Sequence, residues 1–162
     1  MSNKGLIELF MPPNMLKAKV GGQGGIDVAA VNRAELAMEE LQSEFPGWLA
    51  ADVKKLMGAR TRYSLAPDDD SRAALLRAAH DIKGQAPTFN YPLIARVAGS
   101  LTRLIGELPP QAALPAALVD AHVDAINVIH RLALQDTNDK TAQSLCAELD
   151  TRVDEALIAA KT

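Results

Sequence analysis

The sequence predicts an all-α protein, an antiparallel up-and-down four-helix bundle with additional N-terminal and C-terminal helices. Three observations favour this fold class. Apolar residues recur at spacings of three, four and seven, Ala and Leu are abundant, and strand-like alternation and β-branched runs are rare. At 162 residues, 48% of them hydrophobic, the chain is also long enough to bury the core of one domain.

Six helices are predicted, separated by segments that contain Pro, Gly, Asp or Asn. The first break is expected at Phe45-Pro46-Gly47, since an interior proline normally ends or kinks a helix. The run Asp68-Asp69-Asp70 is expected to precede a helix N-terminus, where the helix dipole favours acidic groups. Short joints make sequential helices antiparallel, and the bundle core is expected over residues 47–134. The helices are placed at 28–44, 47–63, 71–86, 91–107, 114–134 and 138–160.

Apolar stripes predict which helix faces are buried. The last helix has the clearest stripe, and Cys146 within it is expected to be a small core residue. In the helix at 114–134 the expected stripe consists of Leu118, Ala121, Ala125, Ile129 and Leu132.

Residues 1–26 are predicted to form a flexible arm, because Pro12-Pro13 and the glycine-rich segment 21–25 are unsuited to regular structure. Residues 27–162 are then expected to form a single helical domain.

Composition excludes several functional classes. A net charge of −3 and an aromatic content of 4% argue against nucleic-acid binding, which needs a cationic surface or base-stacking platforms. No apolar run is long enough to cross a bilayer, and no signal peptide is apparent, so no membrane association and a cytoplasmic location are expected. A lone cysteine predicts neither a disulfide nor a metal site. The sequence does not indicate an oligomeric state.

The third predicted helix carries the candidate functional residue, His80. Its apolar stripe includes Ala79 and Ile82, and His80 lies about 100° of helix rotation from Ala79, so the imidazole is expected to face solvent. Gly84 lies one turn further on and costs about 1 kcal/mol relative to Ala in a helix interior. A physical reason for a glycine at this position is that, without a side chain there, one face of the imidazole stays open to a partner. Lys83 adds a positive charge beside the ring.

The segment His80-Asp81-Ile82-Lys83-Gly84, preceded by Ala78-Ala79 and followed by Phe89 and Leu101, resembles the phosphoacceptor signature of histidine-containing phosphotransfer (HPt) domains. The resemblance covers about residues 47–134. It implies that His80 accepts a phosphoryl group from the aspartyl phosphate of a response-regulator receiver domain and passes it to another receiver. The implied partners are therefore receiver domains of a two-component phosphorelay.

The residue types suit this chemistry. A free imidazole has a pKa of about 6.5, so a neutral nucleophilic nitrogen is available near pH 7. Phosphoryl transfer asks chiefly for alignment and for cations near the equatorial oxygens, which Lys83 and Arg77 can supply. No cofactor is expected, and the Mg²⁺ that this reaction uses is expected in the receiver. The chain has no Gly-rich phosphate loop, so it is expected to be a phosphoryl carrier and not an ATP-dependent enzyme.

Two positions depart from the family pattern. Asn90 stands where a glycine is usual, ten residues after the histidine; Asn tolerates the left-handed conformation and can cap the following helix. Thr102 stands 22 positions after His80, where a longer Glu or Gln usually hydrogen-bonds the imidazole. Its hydroxyl is expected to orient the ring directly or through a water molecule.

Other interpretations remain open at this level. His122 and His130 are expected to be packing or surface residues, because neither has a metal-binding partner at helical spacing. The alternative function is a non-catalytic helical module that keeps the histidine but sequesters a receiver or another regulator. A purely structural helical protein would show neither transfer nor binding.

Overall fold

A computed structural model describes residues 27–162, and for residues 38–46 it describes the backbone alone. Within this range the chain forms helices and no strand, so the predicted all-α class is confirmed. None of these helices is both long and apolar enough to span a membrane. The helices are α1 (Val28–Leu65), α2 (Asp69–Gln85), α3 (Pro92–Glu107), α4 (Ala116–Arg131) and α5 (Lys140–Ala159).

The predicted break at Phe45-Pro46-Gly47 is wrong, because α1 runs through it without interruption. Proline lacks an N–H and so removes one helical hydrogen bond, at a cost of about 3 kcal/mol, but its fixed φ is itself helical. The segment that follows Pro46 buries Leu49, Val53 and Leu56, which favours continuing the helix. Two of the six predicted helices are therefore one.

Backbone contacts group the chain into two units, Met1–Ser43 and Glu44–Thr162. The predicted arm at 1–26 lies outside the described residues. The extent of the single helical domain, 27–162, stays a prediction.

The core of the second unit is centred on α3, which packs against α2, α4 and α5. Each helix contributes aliphatic side chains with almost no solvent exposure, and burial of such a side chain contributes about 1.5–3 kcal/mol. Representative core residues, one from each helix in order, are Leu56, Ile82, Leu101, Ile126 and Val153. Cys146 is buried as predicted.

The buried face of α4 differs from the predicted stripe. Ala125 and Ile129 are buried as expected, but Ala121 and Leu132 are exposed. The face that packs inward also includes Val119, His122, Val123 and Ile126.

Polar contacts between helices give their relative directions. The Arg60 guanidinium of α1 pairs with Asp120 and Asp124 of α4, and the Tyr63 hydroxyl accepts a hydrogen bond from the N–H of Leu114 just before α4. Later residues of α1 thus meet earlier residues near α4, so the two helices run in opposite directions.

The start of α2 is fixed by a reciprocal cap. The Asp68 carboxylate accepts a hydrogen bond of 2.7 Å from the Ser71 N–H, and the Ser71 hydroxyl oxygen accepts one of 3.0 Å from the Asp68 N–H. The hydrogen bond from the Ser71 N–H is the largest of the effects that lower the pKa of the Asp68 carboxyl. The helix begins at Asp69, two residues before the predicted start at 71, so Asp69 and Asp70 lie in its first turn instead of preceding it. Acidic groups are favourable there as well, because of the helix dipole.

After α2 the chain turns at Asn90, whose φ of 65° confirms the expected left-handed conformation. The expected cap is wrong: the N-cap of α3 is Tyr91, and no side chain caps that end. Pro92 at the first position of α3 has no N–H that would need a partner.

Arg72 ties the start of α2 to the end of α3. Its guanidinium donates hydrogen bonds to the carbonyl oxygens of Ile105 and Leu108 at 2.9 Å and of Ala112 at 2.8 Å. It also reaches the carbonyls of Pro109 and Pro110 at 3.2 Å. The last carbonyls of a helix have no intrahelical donor, so this one side chain satisfies the C-terminus of α3 and the loop after it.

Candidate functional site

His80 lies on the outward face of α2. The neighbouring Leu75, Ala79 and Ile82 are fully buried, whereas His80 is exposed, as the helix rotation predicts. Across the part of the chain that the structure describes, no hydrogen bond or ion pair engages its ring. The imidazole is therefore free to meet a partner.

Gly84 leaves the space one turn beyond His80 open. A Cβ built at residue 84 would meet nothing within 4 Å among the described residues. Close packing against the described residues thus does not account for this glycine.

Lys83 lies on the α3 side of this face. Its Cδ and Cε atoms are each 3.7 Å from the position that a Cβ at Gly99 would occupy, so the lysine stem rests against α3. The side chain is exposed, and its aliphatic part covers α3 while the ammonium group stays in solvent.

Arg77 lies on the opposite side, facing α1. It contributes to an open groove of about 340 Å³ between α1 and α2, which we call the basic groove. It is lined by Lys55, Gly58, Ala59 and Arg62 of α1 and by Ala74, Arg77, Ala78 and Asp81 of α2. His80 therefore stands between a lysine on its α3 side and a cationic groove on its α1 side.

Thr102 on α3 is half-buried, and its hydroxyl donates a 2.7 Å hydrogen bond to the Ala98 carbonyl one turn earlier. No hydrogen bond between Thr102 and His80 occurs within residues 27–162. The structure thus brings Arg77, His80, Lys83 and Gly84 onto one exposed side of α2 and leaves Thr102 bonded to its own helix.

His122 is buried, unlike His80. Its Nδ1 lies 2.8 Å from the Leu118 carbonyl and its Nε2 lies 3.0 Å from the Ser100 hydroxyl. Since a carbonyl only accepts, Nδ1 carries the proton and donates, and Nε2 accepts from Ser100. Burial lowers the pKa of His122, against a smaller opposing effect of the Leu118 carbonyl.

His130 is half-buried, and its ring centroid lies 5.9 Å from that of Tyr91. Of the three histidines in the sequence, His80 is the exposed one. The other two are packing residues, as predicted.

The described residues contain no group of three His, Cys, Asp or Glu side chains able to hold a metal ion. Burial raises the pKa of the Cys146 thiol, which disfavours a reactive thiolate.

A family model described as Hpt domain matches residues 33–159. The chain belongs to the Hpt domain family. The match includes all five predicted site residues, and it extends beyond the sequence resemblance at 47–134 to cover α5. No curated protein and no solved structure matches the chain significantly. Hpt domains are histidine phosphotransfer modules of two-component phosphorelays, and their partners are receiver domains of response regulators.

Sequence reasoning missed two features of this Hpt domain. The first is Gly99, which leaves room for the Lys83 stem. The presence of a glycine on the helix after α2 is the feature of the sequence that could have indicated this contact. The second is the basic groove, whose α1 cations Lys55 and Arg62 are seven residues apart and so share a helix face.

Proposed function

We propose that this Hpt domain carries a phosphoryl group on His80 and relays it between receiver domains. The observation that carries the proposal is the exposure of the His80 imidazole beside the open space at Gly84. An acyl phosphate held in a receiver must approach within bonding distance of a ring nitrogen, and this face leaves that approach unobstructed.

The transfer step balances without a cofactor. A neutral imidazole nitrogen of His80 attacks the phosphorus of the receiver's aspartyl phosphate, an N–P bond forms, and the acyl O–P bond breaks. The leaving group is the receiver's aspartate carboxylate. The ring then releases its N–H proton to solvent, and the reverse sequence delivers the phosphoryl group to a second receiver.

Lys83 and Arg77 are proposed to stabilise the phosphoryl oxygens from opposite sides. Two unit charges 4 Å apart interact by about 4 kcal/mol at an effective dielectric of 20. At an exposed site, solvent reduces this to about 1 kcal/mol until the partner covers the site. Both cations therefore tune the rate and the lifetime of the phosphohistidine without being indispensable.

Thr102 is proposed to act on the imidazole through a water molecule, since no direct hydrogen bond joins the two side chains within residues 27–162. Its hydroxyl proton is donated to the Ala98 carbonyl, and its oxygen can still accept a hydrogen bond. We propose further that the chain binds no nucleotide or other cofactor of its own and that the receiver brings the Mg²⁺. On this proposal it is a phosphoryl carrier, active as a phosphotransferase only together with a receiver.

The test is transfer of label from a phosphorylated receiver to the protein. The expected product is acid-labile and base-stable, and it is absent from His80→Gln. The matched control is His130→Gln, which replaces the half-buried histidine and should take up label as the wild type does. Binding of the receiver without transfer of label would instead indicate a sequestering module.

A further inference from the structure

Ion pairs engage most, but not all, of the arginines on the described surface. Arg60, Arg96, Arg103 and Arg152 each pair with an acidic side chain. The overall charge of −3 hides this unevenness.

Two arginines without an ion pair lie in the basic groove. Arg62 and Arg77 make no ion pair within 4 Å among residues 27–162, and the Lys55 ammonium lies 3.8 Å from Asp52. Asp81 is the acidic residue of the lining, and Arg62 also helps to lower the pKa of the Asp68 carboxyl outside it.

The groove is accessible as well as cationic. Its inner surface consists of small residues, Gly58, Ala74 and Ala78 among them, and a Cβ at Gly58 would meet nothing within 4 Å. Short side chains between long cationic ones leave room for carboxylate side chains from outside. Arg62 and Arg77 are exposed and make no ion pair within 4 Å among residues 27–162, so both remain available to carboxylates from outside.

The groove also adjoins the phosphoacceptor. Arg77 lies one turn before His80, and Asp81 follows it directly, so a protein seated over the imidazole must cover the adjoining end of the groove. Any negative charge on that protein would then face Lys55 and Arg62.

We infer that the basic groove binds an acidic segment of the receiver that docks on His80. The inference rests on the proposed function, since it takes the visitor to His80 to be a receiver. Charge complementarity of this kind accelerates encounter, fixes the register of docking and weakens as salt screens it. Lys55 and Arg62 are therefore specificity-determining contacts outside the reacting centre.

The test compares two double variants that remove the same charge. Lys55→Gln/Arg62→Gln removes two positive charges from the groove, and Arg131→Gln/Lys140→Gln removes two from exposed positions of α4 and α5. The probe is an unphosphorylated receiver domain that binds the wild type in calorimetry. Circular dichroism and thermal unfolding check that both variants are folded.

The groove variant should raise the Kd for the receiver by about tenfold at low salt, and its Kd should depend less on salt than that of the wild type. The control should change the Kd by less than about twofold. In transfer assays the groove variant should raise KM more than it lowers kcat. Equal Kd values and equal salt dependence for the two variants would overturn the inference.

Failure of the proposed function can be distinguished from failure of this inference. If the proposed function is wrong, the wild-type protein takes up no label, whereas the Kd measurements report on the groove whether or not transfer occurs.

Discussion

The aliphatic stem of Lys83 rests in the space left by Gly99 on the facing helix, with Cδ and Cε each 3.7 Å from the missing Cβ position. This contact holds the lysine on the α3 side of His80, one turn from the imidazole. A residue outside the phosphoacceptor motif is thereby in contact with one of the two cations proposed to act there.

Enlarging residue 99 should displace Lys83. Gly99→Leu is expected to slow transfer by roughly two- to tenfold, because one partly screened charge near the phosphoryl group is lost. In Gly99→Ala the added Cβ makes only an ordinary van der Waals contact with Lys83, so this variant should retain transfer. Because Ala has the higher helix propensity, the free energy of unfolding should rise by up to about 1 kcal/mol. Rapid-quench transfer rates and urea unfolding measure both effects. Equal rates for the Leu and Ala variants would contradict this role of Gly99.

A side chain at residue 84 should block the approach to His80 without disturbing the fold. Gly84→Gln places its added atoms in open space, so the free energy of unfolding should change by less than about 1 kcal/mol, while transfer slows by at least about tenfold. The control is Gly106→Gln, which also adds atoms to open space on a helix surface. If both variants transfer at the wild-type rate, access does not explain Gly84.

Stability should fall at acidic pH because of His122. Burial lowers the pKa of this histidine in the folded state, so below pH 6.5 the unfolded chain takes up a proton that the folded chain does not. The free energy of unfolding should therefore decrease as the pH falls from 7.5, by at most about 1.4 kcal/mol per pH unit for this one proton.

The pH effect is measured by urea unfolding at several pH values. The variant His122→Asn is expected to be less stable but to lose this part of the slope. The control His130→Asn should retain the slope. A slope unchanged in His122→Asn would assign the acid sensitivity to other groups.

Removing the Arg72 guanidinium should destabilise the protein. Arg72→Met keeps much of the aliphatic stem but removes the hydrogen bonds to five carbonyl oxygens, of which Pro109 keeps one from the Ala112 N–H, and a loss of about 2–3 kcal/mol is expected. Arg152→Met is the control, since its exposed pair with Glu148 should contribute little to stability. Similar losses in the two variants, measured by urea unfolding, would show that the Arg72 contacts are not special.

Local patterns were sufficient for much of the phosphoacceptor face. The exposure of His80 follows from its rotation relative to Ala79, the start of α2 follows from the acidic run at Asp68, and the left-handed turn follows from Asn90. In each case the deciding interaction lies within a few residues of the chain.

Features that depend on contacts between distant segments were not predictable. Pro46 suggested a break, but burial of the residues after it favours a continuous α1. Leu132 appeared to extend the apolar stripe of α4, yet it falls at the end of the helix and is exposed. The basic groove combines residues of α1 and α2 that only the packed bundle places side by side.

The central claim is that the phosphoryl group resides on the imidazole of His80. The most direct measurement is tandem mass spectrometry, under conditions that preserve phosphoramidates, of the protein after brief exposure to a phosphorylated receiver. We expect phosphate on the peptide that contains His80, assigned to that residue, and none on peptides containing His122 or His130. Phosphate on any other residue, or uptake that persists in His80→Gln, would contradict the account.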